Sequence, residues 1–322
     1  MIDTLGPAAR GRRLDTFGLL TESRPDDDLR AHLERDGYLF IRGLLDRDAV
    51  QRGREDLLAQ PELTQTYPMR SEAMKAVVHG PRIMAFFTGL FGTEARSYDF
   101  IWLRHQPPGH GIAPHCDTVF MGRGTPDVLT AWIPFGDIPL RAGGLMLLEH
   151  SHLTSQQRIA DYLRQDVDTY CENGPNADAV RRGDMRWEHW RDRTEWNGEI
   201  TDDPHALARE WNTRWLTADF RMGDVLIFTM RTAHAGTDNE IDPLRLSTDT
   251  RYQPADQPID ERWIGEAPIG HGLDAKQGKI CWSTGCFRPP VRSARTAAAA
   301  RTPGSSAGSR SATRRSPRSR SG

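Results

Sequence analysis

Cysteine is scarce in this 322-residue chain, and the four present, Cys116, Cys171, Cys281 and Cys286, form no C-x-x-C pair. That excludes a disulfide-stapled scaffold and leaves reduced thiols as the expectation. Long apolar runs are missing too. The best segment, Ile83 to Phe91, falls well short of the ~18 residues of a membrane span, and the first thirteen residues hold no apolar stretch of signal-peptide type. A cytoplasmic protein is expected. There is no internal repeat, which argues against a solenoid. Basic excess is confined to one end: eight arginines and no acid lie between Val291 and Gly322, so the overall net charge of -2 leaves about -10 on the rest. An acidic body has no broad attraction for nucleic acid or an anionic membrane.

What is present suits a globular domain. Hydrophobic residues make up 37% and charged residues 27%, and the length allows one sizeable domain or two small ones. Residues 1–25 have little apolar pattern and read as an N-terminal arm. Helices are expected over Asp26 to Asp36, Asp46 to Gln60 and Ser71 to Leu90, the last broken near Gly80-Pro81, with a short strand at Tyr38 to Ile41. From Arg96 the pattern changes to short apolar runs separated by Gly and Pro: Arg96 to His105, Asp127 to Pro134, Leu145 to Glu149, Asp224 to Met230 and Arg245 to Tyr252. Strands of that length and spacing predict a mainly β antiparallel barrel or jelly roll. Residues 153–220 interrupt it as a helical or irregular insertion holding Trp187, Trp190, Trp196, Trp211 and Trp215. These read as core or as a lid over a substrate, and the lid is the working expectation. Residues 291–322, rich in Ala, Ser and Arg, cannot bury enough surface to offset their ordering entropy and read as a disordered tail.

Two segments carry chemistry. Ala113-Pro114-His115-Cys116-Asp117 contains His-x-Asp. In an extended strand these side chains share a face, so an imidazole and a carboxylate can reach one ion. His234, just after the strand at Asp224 to Met230, supplies a second imidazole. Two histidines and one carboxylate on one face of an octahedron leave three positions open, which favours iron(II) with a chelating cosubstrate and dioxygen. Alone, His-x-Asp is weak, since a surface loop pair is the bland reading. Eleven residues after His234 comes Arg245, followed by Ser247 on the same strand face. A guanidinium beside a hydroxyl is a receptor for the distal carboxylate of a dicarboxylate such as 2-oxoglutarate; Arg104 and Arg251 are the next cations to consider. The bland reading of Arg245 is a surface ion pair.

These pieces, in order, resemble the phytanoyl-CoA dioxygenase family of iron/2-oxoglutarate oxygenases. Asp36-Gly37-Tyr38 opens a helix–strand unit, Pro107-Pro108-Gly109 precedes the His115 motif, and Trp132 lies on the following strand. Gly143-Gly144-Leu145 leads into Glu149-His150-Ser151-His152, where the family usually has Pro-Gly-Ser-His; Gly223-Asp224 and Arg245-x-Ser247 complete the set. The resemblance covers residues 26–254. It implies a double-stranded β-helix, cupin-like, with flanking N-terminal helices in a domain of residues 26–290. It implies iron(II) on His115, Asp117 and His234, and 2-oxoglutarate held through Arg245. Trp132 resembles a cosubstrate-pocket residue, and His105 sits on a strand that often contributes another.

The implied reaction consumes dioxygen and 2-oxoglutarate, releases succinate and carbon dioxide, and hydroxylates an unactivated carbon. The same oxidant can instead drive desaturation, epimerisation or cyclisation; halogenation is disfavoured because Asp117 occupies the halide's position. A non-catalytic, metal- or ligand-binding cupin-like protein is the reading from another class. No coenzyme A motif is present, so the family name does not give the substrate; a small polar metabolite or a natural-product intermediate is expected. His110, His150 and His152 read as loop and turn residues, and Cys116 as packing on the face away from the ligands.

Overall fold

The computed structural model describes residues 17–24, 26–60, 71–167, 198–241 and 244–271. The tail of residues 291–322, Cys171, Cys281, Cys286, Trp187, Trp190 and Trp196 lie outside the described residues.

The N-terminal helices are α1 (Leu29–Asp36), α2 (Arg47–Leu58), α3 (Glu72–Val78) and α4 (Pro81–Phe91). Their starts follow from local chemistry. Asp28, Asp46 and Ser71 each accept a hydrogen bond from a first-turn amide, satisfying donors that have no partner inside a helix. Pro81 opens α4 where its missing N–H costs nothing, which is the break expected at Gly80-Pro81. Gly37 ends α1 at φ 77°, and a Cβ there would strike the His152 ring, so the turn needs glycine on both counts.

The strands are β1 (Gly18–Leu19), β2 (Tyr38–Ile41), β3 (Ala95–Ser97), β4 (Trp102–Gln106), β5 (Ile112–His115), β6 (Leu129–Pro134), β7 (Leu145–Leu148), β8 (Trp215–Thr217), β9 (Val225–Thr229), β10 (His234–Gly236) and β11 (Arg245–Pro254). The larger sheet runs β2-β9-β6-β11-β3, with β4 also paired to β11. The smaller sheet runs β1-β8-β7-β10-β5. The single strand expected over Arg96 to His105 is two, β3 and β4, which pair with successive stretches of β11. Part of the N-terminal arm is a strand: β1 pairs with β8 in parallel.

Alternation along the strands sorts side chains into three layers. One face of the larger sheet sends Leu39, Ala131, Ile227 and Leu246 against α2–α4, where Phe87 stacks on Tyr252 at 3.9 Å. The opposite face, with Phe40, Trp132 and Phe228, meets Leu145 and Leu147 of the smaller sheet. The outer side of the smaller sheet, through Met146, Ala233 and Ala235, packs on the short helices α6 (Ser151–Arg158), α7 (Ala160–Leu163) and α8 (Pro204–Trp211). The result is a mainly β jelly roll with helices on both outer faces. No helix among the described residues is long and apolar enough to cross a membrane.

The two described insertion tryptophans belong to this outer layer. Trp215 is 1% exposed and donates to the Pro204 carbonyl at 2.8 Å, and Trp211 is 5% exposed beneath the Arg158 guanidinium. Trp211→Ala should lower stability by roughly 3–5 kcal/mol, a fall in thermal midpoint on the order of 10 °C for a domain this size. Thermal unfolding of the variant checks this; an unchanged midpoint would return Trp211 to the lid.

Candidate active site

His115 is the last residue of β5 and pairs across the ladder with His234 of β10. Ala233 and Ala235 face the outer helices, so His234 between them faces the barrel interior. The imidazole centroids are 4.1 Å apart. Asp117 does not continue the strand as expected. The chain turns after His115, and Asp117 has helical backbone angles (φ -62°, ψ -21°) at the start of α5 (Thr118–Met121). The carboxylate thus reaches the histidines from a turn. One ligand atom from each of His115, Asp117 and His234 lies within 4.8 Å of the others.

The protonation states suit a cation. His115 Nδ1 donates to the Ala113 carbonyl at 2.8 Å and His234 Nδ1 to the Thr232 carbonyl at 3.0 Å, which fixes both tautomers and leaves each Nε2 lone pair free. Burial, then the neighbouring His234, pushes His115 down to about 3. Burial lowers His234 as well, so both rings are neutral near pH 7. For Asp117, burial alone would raise the pKa; Arg251 first, then the two histidines and the Thr130 hydroxyl, outweigh it and hold the carboxyl well below the usual range. One oxygen, Oδ1, stands 3.7 Å from His234 Nε2. The other, Oδ2, accepts from Thr130 Oγ1 at 2.5 Å and from Arg251 Nη2 at 2.9 Å. Two neutral imidazoles and one ionised carboxylate, each with its outer atom anchored, fit a divalent metal.

The second half of the site lies on β11. Arg245, Ser247, Asp249 and Arg251 alternate onto one face of a strand buried along its whole length. Arg245 is 4% exposed. It donates to Ser247 Oγ at 2.5 Å and to Gln106 Oε1, and among the described residues its Nε has no hydrogen-bond partner. Among the described residues no carboxylate pairs with it. Burial pushes it down to about 9, so it remains a cation near pH 7. The Trp132 ring lies 5.9 Å away on the same face. A buried guanidinium bonded only to neutral groups is incomplete without an anion.

Not every expected residue converges. The register sets His105 opposite Leu246 and Gln106 opposite Arg245, and cross-strand partners share a face. His105 therefore points away from Arg245, on the face of Leu103 and Leu246, and Gln106 takes the place expected for it. Arg251 is engaged with Asp117 and not with Arg245. Thr130 and Gln106 beside the candidate site are not anticipated from the sequence, and Arg251 is anticipated only as an alternative cation for the carboxylate. The available signal was parity: Thr130 shares a face with Trp132, and Arg251 with Arg245 and Ser247. Cys116 is fully buried in the outer layer, as expected of packing. His152 Nε2 donates to the Glu34 carbonyl, in keeping with a turn role.

Comparison with known proteins agrees with this fold. The phytanoyl-CoA dioxygenase family profile matches residues 65–245. The chain belongs to this family of non-haem iron, 2-oxoglutarate-dependent oxygenases. Curated relatives include 1-deoxypentalenic acid 11-beta-hydroxylase of Streptomyces arenae, 25% identical over 276 residues, covering 75% of this chain and 87% of the relative. The enzyme of the same name from Streptomyces exfoliatus is 26% identical over 278 residues, with the same coverage. Among solved structures, the carbocyclase SnoK from nogalamycin biosynthesis superposes with a TM-score of 0.51 at 20% identity, covering 75% of this chain and 89% of that one. The epimerase SnoN, in complex with Fe3+, alpha ketoglutarate and nogalamycin RO, gives 0.50 at 24% identity, covering 76% and 93%. At these identities the structures establish a shared fold.

If the Arg245 guanidinium awaits an anion, 2-oxoglutarate added with Mn(II) at 100 times its Kd should stabilise the protein by about 2.7 kcal/mol. Arg245→Met should lose most of that ligand-induced shift while its ligand-free midpoint stays level or rises, because a buried uncompensated charge has been removed. Thermal shift with and without 2-oxoglutarate reads both. An equal ligand response in the variant would place the carboxylate elsewhere.

Proposed function

We propose that His115, Asp117 and His234 bind one iron(II), and that Arg245, with Ser247 and Gln106 beside it, binds the distal carboxylate of 2-oxoglutarate. The chain then hydroxylates an unactivated carbon of a small molecule. The observation that carries this reading is the pairing of a buried two-histidine, one-carboxylate set with a buried guanidinium that no carboxylate pairs with among the described residues, inside one jelly roll. When bound, the iron and 2-oxoglutarate supply the oxidation: dioxygen and 2-oxoglutarate are consumed, succinate and carbon dioxide leave, and one oxygen atom enters a C–H bond of the substrate.

The protein's own part is orientation and the exclusion of water. The backbone bonds at Nδ1 aim both imidazoles, and the Phe228 ring packs on His234 at 4.5 Å. Trp132 gives the cosubstrate an apolar wall, packed edge-on against Phe220 at 4.7 Å. The apolar layer between the sheets keeps the site dry, which strengthens the Arg245–carboxylate attraction. His115 is the most accessible of the three ligands, and Phe120 stands edge-on to it at 5.5 Å; the substrate approaches on that side. The two curated hydroxylases, named for 1-deoxypentalenic acid, support a natural-product intermediate as the substrate class and hydroxylation as the outcome. The cytoplasm is the compartment this reading assigns, since it keeps thiols, and with them ferrous iron, reduced.

Anaerobically reconstituted protein should hold one iron per chain, and His234→Ala should hold far less, having lost one of three ligands. Metal analysis after gel filtration checks this; equal iron in the two proteins would sink the ligand assignment. Iron-loaded protein should also release succinate from 2-oxoglutarate, faster when the right small molecule is added. Screening a library of natural-product intermediates for stimulated succinate release identifies the substrate class, and a protein that binds both cofactors yet never forms succinate would be a binding protein only.

A further inference from the structure

Asp117 is held by more than its place in the chain. Its Oδ2 receives two hydrogen bonds, from Thr130 Oγ1 and from Arg251 Nη2, while Oδ1 alone is turned toward His234. Arg251 is 1% exposed. Its guanidinium lies over the Trp102 ring at 4.1 Å, and its Nη1 is 3.8 Å from Asp249 Oδ2. Asp249 is in turn fixed by Arg104, whose Nε and Nη2 lie 2.9 and 2.8 Å from the same oxygen. Arg104, Asp249, Arg251 and Asp117 thus form a row of alternating charges along β4 and β11 that ends on the carboxylate.

We propose that Arg251, with Thr130, is the positioning residue that makes Asp117 a one-oxygen metal ligand. The inference rests on the ligand reading above. A carboxylate free to rotate can close on a cation with both oxygens. Here Oδ2 is already occupied by two donors, one of them charged, and closing on the metal would break a charge-assisted hydrogen bond in a dry site. Holding Asp117 to one oxygen leaves three coordination positions available, the number that a chelating 2-oxo acid and dioxygen together require. Trp102 below and Asp249 beside Arg251 limit its swing toward the metal, and Arg104 keeps Asp249 from competing for the ion. Arg251 touches neither iron nor cosubstrate in this arrangement; it acts through Asp117.

The test uses Co(II), whose visible spectrum reports coordination number and geometry, titrated anaerobically into full-length wild type, Arg251→Gln and Thr130→Val. Loss of an outer partner of a metal ligand typically weakens binding 10–100-fold. Arg251→Gln should weaken Co(II) by about that factor and alter the intensity and position of its bands as the carboxylate closes on the ion. Thr130→Val removes one neutral hydrogen bond with little change of shape and should weaken Co(II) by about tenfold or less, with a spectral change in the same direction. If burial makes Arg251→Gln unfold, Thr130→Val decides alone. Wild-type affinity with an unchanged spectrum in the folded variants would overturn the positioning role. Failure of wild type to bind Co(II) at all would instead overturn the ligand reading, and this inference with it.

Discussion

An ionised carboxylate buried in the middle of a jelly roll is the constraint around which this site is built. Moving such a charge out of water costs several kcal/mol even after relaxation, so Asp117 can stay ionised only if the fold supplies compensation. It does so from a different sheet: Thr130 on β6 and Arg251 on β11 both reach Oδ2. Arg251 is itself a buried cation, steadied by the Trp102 ring and by Asp249, which Arg104 balances at the more exposed end. Each charge needs the next, and the row fixes β4, β6 and β11 relative to the turn that carries Asp117. The register of the larger sheet is therefore part of the metal chemistry.

The second buried arginine on the same strand has the opposite character. Arg245 has neutral hydrogen-bond partners, a serine hydroxyl and a glutamine oxygen, and no carboxylate bonded to it among the described residues. Two guanidiniums six residues apart thus differ on one strand face: Arg251 pairs with a carboxylate of the protein, and Arg245 has none as a partner among the described residues. Such asymmetry is what a dicarboxylate bridging a metal and a cation requires, and it disfavours a purely structural reading of Arg245, which would have given it a carboxylate of its own.

Much of this was legible in the residues. The helix starts were marked by Asp46, Ser71 and Pro81, and the jelly roll by short apolar runs between glycines and prolines. His115, Asp117, His234 and Arg245 were legible through motif and order, and the resemblance they carry agrees with the family match. Local pattern failed where register decides. Asp117 was assigned to a strand because two-residue spacing suits one, whereas the chain turns there. His105 was assigned to the pocket by its strand, and a shift of one residue, to Gln106, reverses the face. The alternation in Arg245-x-Ser247-x-Asp249-x-Arg251 looks like a strand with one solvated side, since polar residues at every second position usually face water. Here the polar side faces the barrel interior: motif and order indicate this for Arg245 and Ser247, and pairing with β4 and β6 on either side extends it to Asp249 and Arg251.

The central claim is that one iron on the histidine–aspartate set and one 2-oxoglutarate on Arg245 occupy the same cavity at once. Anaerobic titration of the iron-loaded protein with 2-oxoglutarate, following the metal-to-ligand charge-transfer band, tests it directly. The account predicts a band that saturates at one equivalent in wild type. In Arg245→Gln the midpoint should move to roughly 100–1000-fold higher 2-oxoglutarate, the scale of a truncated buried charge pair. Absence of the band in wild type, or the same midpoint in both proteins, would contradict it.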